Sequence, residues 1–173
     1  MVSKFKYGLL LLAAAVILPA CVAAQGKGVK PLADNASLAE TQSWLVENIR
    51  KYGSYKSRVT SVAISNVKFD SCALTIALVR KSGSTAHDTM GATARINSVK
   101  QEISFDLSFV ETDGIQLTDH IYPEFQTIVV RFRAGGPSAP ADQIRDTELV
   151  VKSEAGEQIR SALIHAQKLC SEK

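Results

Sequence analysis

The stretch SEAGEQIRSALIHAQKLC, residues 153–170, has the clearest structural pattern in this sequence. Its apolar residues recur at i, i+3, i+4 and i+7, a spacing that collects them on one face of an α-helix: Ile159, Ala162, Leu163, Ala166, Leu169 and Cys170. The pattern predicts a C-terminal helix that buries this face against a sheet. Ile164 lies nearly opposite the face, so we expect it either to be exposed or to contact a second helix.

The chain before this helix contains the strands of the expected sheet. Six runs show the alternation or the apolar content of strands: residues 62–67, 72–78, 103–109, 115–117, 127–133 and 147–152. Asp113-Gly114 is a tight-turn signal. Residues 81–97, rich in Gly, Ser, Thr and Ala, and residues 134–142, with two glycines and two prolines, are predicted to be loops.

A first helix is predicted at about Leu38–Tyr52. Ser37 and Glu40 have the spacing of a capping box, in which each side chain accepts a hydrogen bond from the other residue's backbone N–H. Gly53 follows the helix and suits a left-handed C-cap. Trp44 lies at the margin of the apolar stripe and is interpreted as a packing residue rather than an exposed platform for a ligand.

One helix, about six antiparallel strands and a final amphipathic helix make an α+β order without repeats. Residues 37–171 resemble the pleckstrin-homology-like superfold, which implies a bent antiparallel sheet forming a partial barrel that a C-terminal helix closes. They also resemble uncharacterised bacterial exported proteins that begin with a Trp-bearing helix and end in a helix like Ala162–Cys170. The extra N-terminal helix and the lack of a basic phosphoinositide loop depart from the superfold. The resemblance therefore implies no functional residue.

Residues 1–21 have the three-part plan of a secretory signal. Lys4 and Lys6 provide the positive start, residues 8–18 are apolar, and small residues follow. The competing interpretation is a retained membrane span, but the apolar run is shorter than the roughly 20 residues that a span needs. We therefore expect the protein to be exported.

The segment Leu18-Pro19-Ala20-Cys21 resembles the lipobox of bacterial lipoproteins. The resemblance implies that Cys21 carries lipid and becomes the mature N-terminus, and Val22 in place of an aspartate implies the outer membrane. The alternative is ordinary cleavage after Val22-Ala23-Ala24, which would release a periplasmic or secreted soluble chain. Residues 22–36 are interpreted as a flexible tether and residues 37–173 as one α+β domain.

Composition excludes some partners. The apolar share of 46% and the charged share of 21% are those of a folded globular protein. The net charge of +3 falls to +1 without Lys4 and Lys6, and no basic run suggests a nucleic-acid groove. The expected partners are the membrane, through the lipid anchor, and an envelope protein or a small ligand of unknown identity.

Enzyme signatures such as G-x-S-x-G, H-E-x-x-H and G-x-G-x-x-G do not occur, and no cofactor or metal site is predicted. His87 lies beside Asp88 in a predicted loop, His120 follows an aspartate, and His165 flanks the final helix. Two hypotheses remain. The first is a non-catalytic binding or envelope module that uses sheet edges or the two loops. The second is a hydrolase or other enzyme whose site is assembled from dispersed residues.

The three cysteines lead to a prediction about covalent structure. Lipidation occupies Cys21 and ordinary cleavage removes it, so either processing route leaves Cys72 and Cys170. Both lie on predicted apolar faces, one at a strand start and the other on the last turn of the C-terminal helix. An oxidising compartment favours a disulfide between them. The alternative is two buried free thiols, which behave as small hydrophobic groups.

Overall fold

A computed structural model of the chain describes residues 29–56, 60–88, 91–134 and 143–172, with the backbone alone at 84–88 and 91–96. Two helices and seven strands lie within these ranges: α1 (Leu38–Tyr52), β1 (Tyr55–Lys56), β2 (Thr60–Asp70), β3 (Ala73–Asp88), β4 (Gly91–Asp106), β5 (Val110–Asp119), β6 (Phe125–Arg133), β7 (Ile144–Lys152) and α2 (Ser153–Ser171). The predicted α+β class is confirmed.

The strands form two antiparallel sheets, so the prediction of one bent sheet of about six strands was wrong. The first sheet has the order β1-β2-β3-β4 and the second the order β5-β6-β7, and no barrel closes within the described chain. The break falls inside the predicted strand at 103–109, because Leu107–Phe109 form a single 3-10 turn. The Asp106 carboxylate accepts hydrogen bonds from the Ser108 N–H, at 2.9 Å, and from its hydroxyl, which stabilises the turn.

The loop predicted at residues 81–97 is instead the outer half of a long hairpin. β3 and β4 pair without interruption from Ala73 opposite Asp106 to Asp88 opposite Gly91. Among the described residues, the pairing of β2 with β3 extends to Thr60 opposite Ser82, and β3 and β4 continue together beyond that point. Backbone hydrogen bonds form this ladder, and strands outside the core need no alternating apolar residues.

Helix α1 has the predicted bounds and the predicted capping box. The Ser37 N–H donates to Glu40 Oε2 at 2.8 Å, and the Glu40 N–H donates to Ser37 Oγ at 3.4 Å. The expected left-handed cap at Gly53 is wrong, because its φ of −85° and ψ of −4° are right-handed. Glycine is needed there for space instead, since an added Cβ would lie 2.6 Å from the Ile49 carbonyl oxygen.

Helix α2 buries the predicted face against the second sheet and α1. Ile159, Ala162, Leu163, Ala166 and Cys170 are buried, while Leu169 is half-buried. The helix lies mainly against β5, β6, β7, the 3-10 turn and α1, rather than across a single large sheet.

Ile164 is 38% exposed, so the first of its two expected positions is observed. Asp113, expected in a tight turn between strands, lies within β5 at a positive φ of 58°. The pairing shifts there, between Val110 opposite Phe132 and Ile115 opposite Val130, which makes the segment a bulge.

Candidate binding cleft

A cleft of about 280 Å³ separates the open edge of β7 from the face of the first sheet, and we call it the inter-sheet cleft. The first sheet contributes alternate residues of three neighbouring strands, which share one face: Val62, Ile64, Leu78, Arg80, Gln101 and Ile103. Gly53 and Tyr55 line the cleft next to these strands. β7 contributes the five consecutive residues 146–150.

The consecutive residues show how β7 borders the inter-sheet cleft. Successive side chains of a strand point to opposite faces, so a cavity that contacts five in a row runs along the edge of the strand. Among the described residues, β7 pairs with β6 alone. About every second N–H and C=O of an edge strand points away from its partner. The inter-sheet cleft therefore presents backbone donors and acceptors along one wall.

The floor of the inter-sheet cleft is aliphatic and its rim is polar. Val62, Leu78, Ile103 and Leu149 belong to the hydrophobic core and reach the cleft with little exposed area. The exposed polar residues of the cleft stand around them: Arg80, Gln101, Asp146 and Glu148. The aliphatic residues expose little area, so most of the exposed lining is polar, and such polar groups can fix the orientation of a ligand.

Asp146 at this rim is held by a cross-strand ion pair. Arg131 Nε donates to Asp146 Oδ1 at 2.9 Å, and Arg131 Nη2 donates to Oδ2 at 3.1 Å. These hydrogen bonds lower the pKa of Asp146 from its ordinary value and raise the pKa of Arg131. Asp146 therefore stays ionised and engaged with β6 at neutral pH.

A larger cleft of about 420 Å³ lies between α2 and the bulge of β5. Its lining includes Ile164, Arg160 and Gln167. Two of the polar side chains there, Arg160 and Gln167, already bind the protein itself. Arg160 donates to Glu157 Oε1 and to the Ile115 carbonyl, and Gln167 donates to two backbone carbonyls of β5. This cleft borders a helix and a bulge, and the inter-sheet cleft differs from it in also bordering the edge of a strand.

His120 lies in an aromatic cluster rather than among acid–base partners. Its ring centroid is 6.2 Å from that of Tyr55, 5.5 Å from Tyr122 and 6.0 Å from Phe125. Its Nδ1 accepts a hydrogen bond from the Tyr122 N–H at 3.2 Å. Within the described chain, no group of three or more His, Cys, Asp or Glu residues could hold a metal ion.

His165 lies where α2 contacts the segment before α1. His165 Nε2 lies 2.8 Å from the Ala36 carbonyl oxygen, which joins α2 to the start of α1 as expected of a boundary residue. The side chains of His87 and Asp88 are outside the described part. Their backbone belongs to the end of β3.

Cys72 and Cys170 lie at disulfide distance, with their sulfur atoms 2.11 Å and their Cα atoms 5.9 Å apart. This geometry is consistent with the predicted bond. Cys72 immediately precedes β3, and its carbonyl accepts a hydrogen bond from the Leu107 N–H at 3.0 Å. Cys170 lies in the last turn of α2. The pair thus connects α2, which covers the second sheet, to the first sheet.

The leader and Cys21 lie outside the described residues, so their expected processing stays a prediction. Neither helix that the structure describes is long and apolar enough to span a membrane.

Comparison of the chain with protein-family models, curated proteins and solved structures finds no match. Sheet edges were proposed from the sequence as a possible contact surface. The sequence contains no signal that β7 is an edge strand, and none that shows which sheet face lies opposite it.

Proposed function

We propose that this protein is an exported, membrane-tethered, non-catalytic binding module whose ligand occupies the inter-sheet cleft. The observation that carries the proposal is the combination of three features in one concavity: an aliphatic floor, a charged rim and the open edge of β7. Binding to such a surface needs no acid–base pair and no metal.

Export and tethering rest on the sequence of the leader. Its three-part plan and the lipobox-like segment ending at Cys21 favour a lipid anchor in the outer membrane, with a periplasmic or secreted soluble chain as the alternative. The resemblance to the pleckstrin-homology-like superfold stays a proposal, and the argument for binding does not depend on it.

A photo-crosslinking amino acid in place of Glu148 would test the function in intact bacterial envelopes. Glu148 is exposed at the inter-sheet cleft, so we expect an adduct of discrete mass. Gln101→Trp should fill the cleft and abolish that adduct. Lys100→Trp is the matched control, because Lys100 is the exposed neighbour of Gln101 on the opposite face of β4.

Two results would overturn the proposed function. One is the absence of any adduct from Glu148. The other is an adduct that survives Gln101→Trp, or that forms equally well from Lys68 on β2, which is exposed outside the cleft.

The enzyme hypothesis makes a different prediction. Alanine at His87, Asp88 and His120 together should leave the fold and the phenotype intact if the protein binds without covalent chemistry. A correctly folded triple variant that has lost the phenotype would support catalysis and contradict the proposed function. Circular dichroism and a urea melt establish that the variant is folded.

A further inference from the structure

We propose that the inter-sheet cleft binds an extended segment of a partner protein as an additional β-strand along β7. This inference rests on the proposed function and specifies the chemistry of the ligand. In the part of the chain that the structure describes, β7 has β6 on one side only, so strand addition would continue the second sheet over the face of the first sheet.

The dimensions of the inter-sheet cleft suit a short strand. Residues 146–150 line it, and five residues of a strand extend about 17 Å at 3.3 Å each. A segment of four or five residues would therefore run along this length of the edge. Gly53 and Tyr55 line the same cavity near the ends of β1 and β2, where the incoming chain would leave the cleft.

The backbone groups of β7 discriminate between classes of ligand. An edge strand offers alternating N–H donors and C=O acceptors at a fixed spacing, and another extended backbone is the ligand that satisfies all of them together. A compact small molecule could meet one or two of these groups. The pattern therefore favours a polypeptide.

The residues that line the inter-sheet cleft determine which side chains the bound segment should carry. Residues at alternate positions of an added strand would face the aliphatic floor, where Ile64, Leu78 and Ile103 lie, so they should be apolar. The rim has Arg80 on the first sheet and Glu148 on β7. An acidic residue toward Arg80 and a basic residue toward Glu148 would complement these charges. The inferred ligand alternates apolar residues with polar or charged ones.

A set of three synthetic peptides tests strand addition. The first is an eight-residue peptide that alternates valine with threonine, glutamate and lysine, and the other two carry N-methyl groups at its odd or at its even residues. Alternate N–H groups of a strand point to opposite edges, so only one methylated peptide loses the donors that face β7. We expect the unmodified peptide and one methylated form to bind the full chain, and the other form to bind at least about tenfold more weakly.

Amide hydrogen exchange provides the second readout. The unmodified peptide should slow exchange at alternate amides of residues 146–150, and Gln101→Trp should abolish this protection while Lys100→Trp retains it. These results would support strand addition at β7.

Three outcomes would overturn the inference. If both methylated peptides bind like the unmodified one, or if no peptide binds at 1 mM, strand addition is wrong, although crosslinking from Glu148 could still support the proposed function. Concentration-dependent protection of β7 without peptide, with dimers in sedimentation, would show that a second copy of this chain occupies the edge. Loss of the Glu148 adduct together with loss of peptide binding would overturn both proposals.

Discussion

Removing the link between Cys72 and Cys170 is expected to destabilise the protein by an amount that the structure allows us to calculate. The two residues are 98 positions apart, so the bond would close most of the predicted domain into a loop. On the chain-entropy model, a loop of this size stabilises the folded state by about 4.7 kcal/mol at 25 °C. Folded domains are stable by roughly 5–15 kcal/mol, so this loss would leave the protein marginal.

Urea unfolding followed by circular dichroism measures the effect. With a slope of about 2 kcal/mol per M, Cys72→Ala should lower the midpoint by about 2 M. Cys170→Ala should do the same, and the double variant should lose little more, because either substitution alone removes the cross-link. Reductant should lower the midpoint of the wild type and leave the double variant unchanged.

Two findings would refute this reasoning. The first is alkylation of both Cys72 and Cys170 in unreduced, denatured protein, mapped by peptide mass so that Cys21 is not counted. The second is a double variant whose loss equals the sum of the two single losses, which would indicate independent packing of two thiols.

The other predictions concern packing and processing. Leu163→Asp buries an unpaired charge at a residue that is 1% exposed and should cost about 4 kcal/mol or more, whereas Ile164→Asp at the next position should cost about 1 kcal/mol or less. Equal losses in a urea melt would contradict the one-sided packing of α2. Gly53→Ala should cost about 1–3 kcal/mol, because its Cβ would meet the Ile49 carbonyl at 2.6 Å, and an unchanged melting temperature would show that this contact relaxes freely. Radiolabelled palmitate should enter the wild type and fail to enter Cys21→Ser; a soluble mature chain that begins at Gln25 would disprove lipidation.

Local signals were sufficient for both helices. The capping box of Ser37 and Glu40 and the apolar stripe of α2 each involve residues within a few positions of one another, so the sequence shows them directly. The proximity of Cys72 and Cys170 was predicted from two apolar faces and an oxidising compartment, with two buried free thiols as the alternative, and the two sulfur atoms lie at disulfide distance. These features needed no knowledge of strand order.

The bounds of the strands could not be predicted from local sequence patterns. Residues 83–88 and 91–96 lack apolar alternation, and among the described residues it is pairing with each other, beyond the described end of β2, that makes them strands. In the opposite sense, the alternation of residues 103–109 predicted one continuous strand, but the Asp106 side chain stabilises a turn there and directs the chain into a second sheet.

The residues of the inter-sheet cleft come together only in the tertiary structure. Residues 62, 78, 101 and 148 are distant in sequence and none of them has a distinctive type. They meet because the division into two sheets leaves the edge of β7, which has no second partner among the described residues, above the face of the first sheet. An open edge is a property of strand order, and strand order depends on long-range pairing that no local periodicity encodes. The sequence by itself therefore determined the helices and their buried faces and predicted the cysteine pair, while long-range pairing determined the surface on which we expect this protein to act.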